Sequence, residues 1–256
     1  MSRDSVLIDA RTLYARLKRG DDLVVLSFGT TKEGIPGAFA ADPGVFAGEG
    51  GGTRGARPLP DIADLQAAVR GWGINEETEV VLYDSNGNVS AARGWWTLKW
   101  AGLRHVRLLD GGLAAWEQEN LPFAPLDVID GRGLATLTPG HLPQIETDEA
   151  EIFARDHVLL DARSAKAFDA GHIPGAQNLP ANGNLDKDDK FLADEALRAR
   201  YAFTAGAKIA VSCGSGVSAA HDVAALAIIG IPAALYVGSW SAWSADPERP
   251  VEAIAA

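Results

Sequence analysis

Cysteine occurs once in this chain of 256 residues, at position 213. A single thiol excludes an intramolecular disulfide, a paired-cysteine redox motif and a cysteine-built metal site, and it fits a reducing compartment. The five histidines stand apart, at 105, 141, 157, 172 and 221, with no ligand spacing, and no glycine-rich dinucleotide motif or P-loop occurs. No metal and no cofactor are therefore expected. Runs of lysine or arginine are also missing, and 34 acidic against 23 basic side chains leave a formal net charge of −11. Such a chain offers no phosphate footprint, which argues against nucleic acid or an anionic membrane as a partner. No apolar run reaches the length of a membrane span, and the opening MSRDSVLIDARTLYARL carries charges where a signal peptide needs an apolar centre. These absences point to a soluble, cytoplasmic protein.

What is present is enough apolar material, 47% of the residues, for one large core or two smaller ones. Short apolar runs alternate with segments of helical spacing, the signature of an α/β fold around a mostly parallel sheet. The pattern predicts a helix over 10–18, a strand over 23–26, a helix from Ile62 to near Gly71 or Gly73 capped by Asp61, a strand over 80–83 and a helix from Ala91 through Lys99. Between them the stretch from Ile35 to Pro60 is so rich in glycine and proline that it reads as a long surface connection. Prolines and glycines from Pro122 to Pro143 mark a connector, after which the pattern restarts with a helix that Thr147 could cap.

The second half repeats the first. IPGA at Ile35 returns at Ile173, VSAARGWWTLKWAG matches VSAAHDVAALAIIG, and LLDGGLAAW matches LYVGSWSAW. Setting Val89 against Val217 places Ser85 opposite Cys213. The first copy thus keeps the scaffold without the thiol. The division is a domain over 1–124 that lacks the cysteine, a linker over 125–145 and a catalytic domain over 146–256.

The chemistry centres on KIAVSCGSGVSAAHDVAALAIIG, where an apolar strand leads into Cys213 and then into a helix. Unpaired backbone N–H groups of such a loop can face the sulfur and favour thiolate, the nucleophilic form. Gly214 and Gly216 let the backbone fold around it. A phosphatase would need an arginine six positions on, where Ala219 stands, and His221 is poorly placed as a protease base; it reads as a solvated or capping histidine.

The segment CGSGVSA resembles the active-site loop of two-domain rhodanese-like sulfurtransferases, in the form typical of 3-mercaptopyruvate sulfurtransferases. The resemblance implies tandem rhodanese-like domains, each a mostly parallel sheet flanked by helices, with the active site at their interface. It implies a persulfide on Cys213, Ser215 as a catalytic hydroxyl, and Gly214, Gly216, Val217, Ser218 and Ala219 as the surrounding loop. The donor would be 3-mercaptopyruvate or thiosulfate, and the acceptor cyanide, an external thiol or a thioredoxin-like protein. A persulfide-carrying module without turnover is the alternative of a different class. The family's donor-binding arginine is replaced by Ala167 in DARSAKAF, and its histidine by Arg57. Candidates for the donor site are therefore Arg57, Arg54, Asp42, Lys166 and Trp240, although Lys166 in a strand-like segment would point away. Arg93 reads as half of a domain-packing ion pair, Asp161, Arg163 and His172 as structural polar groups, and Trp243 as core. Adjacent Trp95 and Trp96 cannot both face one core, so one should line the domain interface or be exposed.

Overall fold

The computed structural model describes residues 1–29, 32–127 and 131–254, so residues 128–130 of the expected connector lie outside the described residues. Its ten principal strands form two five-stranded sheets. The first holds β1 (Leu7–Ile8), β2 (Leu23–Phe28), β3 (Ala38–Ala40), β4 (Glu79–Asp84) and β5 (Val106–Leu109) in the order β1-β5-β4-β2-β3. The second holds β6 (Gln144–Ile145), β7 (Val158–Asp161), β8 (Gln177–Asn178), β9 (Ile209–Ser212) and β10 (Ala234–Tyr236) in the order β6-β10-β9-β7-β8. Strand for strand the two plans are the same, and every pairing within them is parallel. Parallel pairing requires helical crossovers, which cover the sheets on both faces.

The helices longer than four residues are α1 (Ala10–Arg19), α2 (Ile62–Gly71), α3 (Val89–Trp100), α4 (Gly112–Gln118), α5 (Thr147–Asp156), α6 (Ala165–Asp169), α7 (Asp194–Arg200), α8 (Val217–Ile228) and α9 (Ser239–Trp243). Local chemistry sets their ends. Asp9 accepts from the Thr12 N–H and Asp61 from those of Ala63 and Asp64, while Gly20 closes α1 in the left-handed region. At α5 the capping residue is Glu146, which shares a capping box with Glu149; Thr147 is the first helical residue, and its hydroxyl meets that of Tyr236 at 2.9 Å. The Glu149 carboxylate accepts the Glu146 N–H at 2.8 Å, a reciprocal bond that a cap at Thr147 would lack because Ala150 would stand in that position.

Helices α3 and α8, equivalent in the repeat, pack on each other and join the two halves. Alanines at 219, 220, 224, 225 and 227 keep α8 slim, and every residue from Ala219 to Ile228 is buried. Close approach of this kind needs small side chains, and a helix apolar almost all round has no free face to show water. One core cluster runs from Val6 to Val237 through both sheets' inner faces, while separate clusters back the outer faces around Trp116 and Trp243. Trp95 and Trp96 are both fully buried: Trp95 borders Val223 and Ala227 of α8, and Trp96 stacks on Trp100. Both belong to the one cluster that runs through both halves, so α3, lying at the domain interface, can bury two adjacent tryptophans.

The stretch from Ile35 to Pro60 is more than a surface connection. It contributes β3, the turns Pro43–Phe46 and Gly52–Arg54, and a fully packed Phe46, and its second turn packs against α9 of the other half.

Candidate active site

Strand β9 lies in the middle of its sheet, between β7 and β10, and Cys213 follows its last residue. Side chains at the carboxyl ends of central parallel strands are where open α/β sheets present their chemistry. Cys213 is 2% exposed. Its sulfur accepts the Gly216 N–H at 3.1 Å, and Gly216 enters α8 with φ of 76°. A side chain at Gly216 would be strained there, and its β-carbon would stand 2.8 Å from the Val237 carbonyl oxygen.

The loop is held from a second direction by α9. Cys213 donates its N–H to Ser239 Oγ at 3.1 Å, and Ser239 in turn donates to the Tyr236 carbonyl at 2.8 Å. The carbonyls of Cys213 and Gly214 accept the N–H groups of Trp240 and Ser241 at 2.9 and 3.0 Å. Ser239 is fully buried and adopts φ of 50°, a costly backbone for a non-glycine residue, tolerated because its hydroxyl bridges two main-chain groups. Ser241 reaches across to the first half, accepting from the Ala56 N–H at 2.8 Å. Neither serine was singled out in the sequence. The signal was present, since the repeat has Gly112 and Ala114 at the matching positions.

The expected donor-site residues divide. Arg57 lines a small cavity of about 10 Å³ with Phe28, Phe46, Ser90, Arg93 and Val217, and also the open cleft of about 500 Å³ that holds Asp42. Asp42 is exposed, and its carboxylate accepts from the Gly44 N–H at 2.8 Å. Arg54 is exposed at the end of its turn, and Lys166 is exposed on α6, a helix rather than a strand; neither lines these cavities. Ser164 caps that helix through the Ala167 N–H, which is why the segment coils. Trp240 meets the loop through its backbone, while its ring lies over Arg163 at 4.8 Å. Ser215 is half-buried within the loop, Ser218 is half-buried in the first turn of α8, and Ala219 beside it is buried.

Two expectations are corrected. Arg93 is not half of an ion pair: among the described residues no carboxylate is paired with it, its Nη2 donates to the Arg57 carbonyl at 3.3 Å, and Nε and Nη1 have no partner. Burial pushes its pKa down to about 10, with the charge of Cys213 acting upward and Arg57 downward, so it remains a cation at neutral pH. His221 is neither solvated nor capping. It is fully buried, stacked on Phe191, with Nε2 3.1 Å from the Gly87 carbonyl oxygen and Nδ1 3.3 Å from Asn184. The contacts that bury it come from Phe191 and Asn184, far back in the sequence, and from Gly87 of the other domain, beyond reach of local spacing.

The structural polar groups stand as expected. Arg163 clasps the buried Asp161 at 2.6 Å and the Gly171 carbonyl at 2.8 Å, His172 stacks on Phe168, and Trp243 is core. No helix among the described residues is long and apolar enough to cross a membrane.

Comparison with known proteins agrees with this architecture. The rhodanese-like domain model matches twice, over residues 1–119 and 147–246. A Pseudomonas aeruginosa protein provisionally named 3-mercaptopyruvate sulfurtransferase is 37% identical over 96% of this chain and 97% of its own length. SseB of Mycobacterium tuberculosis, provisionally named a thiosulfate sulfurtransferase, is 37% identical over 98% of both chains. The crystal structure of the 3-mercaptopyruvate sulfurtransferase SseA from Escherichia coli superposes with a TM-score of 0.81 at 25% identity, covering 94% of this chain and all of that one. With two copies of the domain in tandem and relatives matched end to end, the chain belongs to the two-domain rhodanese-like sulfurtransferase family.

Proposed function

We propose that the protein moves sulfane sulfur from 3-mercaptopyruvate to a thiophilic acceptor through a persulfide on Cys213. The observation that carries this reading is the sole cysteine at the end of the central strand, its sulfur met by the Gly216 N–H within CGSGVSA. In the first half-reaction the thiolate attacks the donor's sulfur. The carbon–sulfur bond breaks, its electron pair leaves on pyruvate as the enolate, and the enolate takes up a proton. The outer sulfur stays on Cys213 until cyanide, an external thiol or a thioredoxin-like protein attacks it and releases the thiolate. Backbone amides of Gly214 to Ala219 and the positive end of α8 stabilise the negative sulfur in both stages. Ser215, on the same loop, is the hydroxyl assigned to the donor's carbonyl end.

The same reading assigns catalysis to residues 146–256, scaffold and site cover to residues 1–124, and a connecting role to 125–145. The repeated sheet plan supports that division. The one free thiol favours the reducing cytoplasm. Likeness to SseB favours thiosulfate as the second donor reading.

Intact-protein mass after incubation with each donor, then with cyanide, tests the proposal. Mercaptopyruvate should add about 32 Da to the sole cysteine, and cyanide should remove it. Loading by thiosulfate alone establishes the second reading. Loading without cyanide turnover marks a persulfide carrier, and loading by neither donor removes both enzyme readings.

A further inference from the structure

Arg93 is a buried cation with no carboxylate paired to it among the described residues. It is 4% exposed, two of its three guanidinium nitrogens have no partner, and its Nη1 stands 2.9 Å from where a β-carbon on Gly216 would lie. Gly216 is the residue whose amide touches the Cys213 sulfur. The guanidinium therefore borders the sulfur's own loop, across the domain interface. A buried cation without a carboxylate partner is expensive to desolvate, and among the described residues no carboxylate is paired with it. The nearby amides at the start of α3 are no substitute anion site, because Asp84 already occupies those of Ser90 and Ala91.

The surroundings show where an anion would enter. Arg93 and Arg57 share the small cavity with Val217 of the cysteine loop, walled by Phe28, Pro43 and Phe46. Pro43, Ala47 and Arg57 also line the open cleft of about 500 Å³, so the cavity is the floor of a solvent-reached opening. Apolar walls limit screening and strengthen the attraction of a fixed cation for an oxyanion.

We propose that Arg93, with Arg57 at the mouth, forms the anion subsite that receives the carboxylate or sulfonate end of the sulfur donor beside Cys213. The inference rests on the reading of Cys213 as the sulfur carrier and names the first-domain residues that select its donor. Arg93 occupies the inner position and Arg57 the outer one. Donor recognition is then supplied across the interface, by the domain that lacks the thiol.

The test compares alkylation of Cys213 by iodoacetate, which carries a carboxylate, with alkylation by neutral iodoacetamide, each followed by intact mass at neutral pH and low salt. The ratio of the two rates cancels changes in thiol ionisation and access. The wild-type ratio should exceed that of free 2-mercaptoethanol by about tenfold and fall as sodium chloride is raised. Arg93→Met should lower the ratio at least about fivefold, and Arg93→Lys should retain most of it. A wild-type ratio no higher than that of the free thiol overturns the proposal, as does a folded Arg93→Met protein with an unchanged ratio. Should Arg93→Met fail to fold by circular dichroism, the wild-type ratio and its salt dependence decide. Alkylation needs no sulfur transfer, so a protein that keeps the ratio yet never loads sulfur upholds the subsite and refutes the donor reading alone.

Discussion

The two strand-loop-helix units of this molecule share a backbone and differ in what their amides hold. In the second, Gly216 N–H meets the sulfur of Cys213 at 3.1 Å. In the first, the equivalent amide is that of Asn88, and it donates to Asp84 Oδ1 at 2.7 Å. The same carboxylate also accepts from Asn86, Ser90 and Ala91 at 2.8, 2.8 and 3.0 Å. Asn88 and Gly216 even share the left-handed conformation, at φ of 63° and 76°. Where the first unit ends its strand with an aspartate, the second has Ser212, whose hydroxyl turns away to the Leu160 carbonyl at 3.1 Å. One anion-binding loop is thus filled permanently from within, and the other is left for sulfur. The first unit is a record of the geometry the active one needs, with a fixed carboxylate in place of a transient negative charge.

The strongest test of that contrast exchanges the nucleophile. Cys213→Ala should lower turnover at least about 10³-fold, the scale on which loss of a covalent nucleophile acts, while Ser85→Ala leaves the rate unchanged. Adding Ser85→Cys to Cys213→Ala should restore neither turnover nor the persulfide mass, because Asp84 already saturates that loop. A recovered persulfide on the transplanted cysteine would show that the loops are interchangeable after all.

A second variant empties the silent loop. Asp84→Ala strands four amide donors, two of them on buried residues, and should cost about 2–4 kcal/mol in urea unfolding with sulfur transfer largely kept. An unchanged midpoint would mean that water replaces the carboxylate at no loss.

The smallest effect concerns how each loop is covered. Pro43, Phe46 and Arg57 share a cavity with Val217 beside the active loop, whereas Gly87 of the silent loop lies against Leu185 and against a buried group of Asn184, Tyr201, His221 and Asp222. Burial pushes the Asp222 carboxyl up to about 7 and the His221 imidazole down to about 4. A raised carboxyl makes stability fall as pH rises from about 4 towards 7, and a depressed histidine makes it rise from about 4 to 6.5, so in the wild type the two slopes oppose each other. Asp222→Asn should remove the falling one. Its stability relative to wild type should grow across that window by on the order of 1–3 kcal/mol, read from thermal melts at pH 4 to 8, and a pH-independent difference would place the Asp222 proton elsewhere.

Much of this was legible in the chain. Apolar runs and helical spacing located β9, α3 and α8 to within a residue or two, because a strand buried on both faces and a helix with one partner write their environment into consecutive residues. The repeat announced two copies, and the CGSGVSA loop announced a thiol site. Ser239 and Ser241 were readable only as departures of GSWSAW from GGLAAW, and their meaning depended on which main-chain groups lay opposite. Lys166 went astray because Ser164 starts a short helix where spacing alone allowed a strand.

By itself the sequence determined the fold class, the duplication and the position of the sulfur, all of which depend on local pattern and on a residue that occurs once. Tertiary structure alone decided that Arg93 borders Gly216 and has no carboxylate partner among the described residues, that Asp84 fills the first loop, and that His221 is buried against the other domain. The reason is that solvation and pairing of a charge depend on atoms distant in the chain, and no spacing of residues records them.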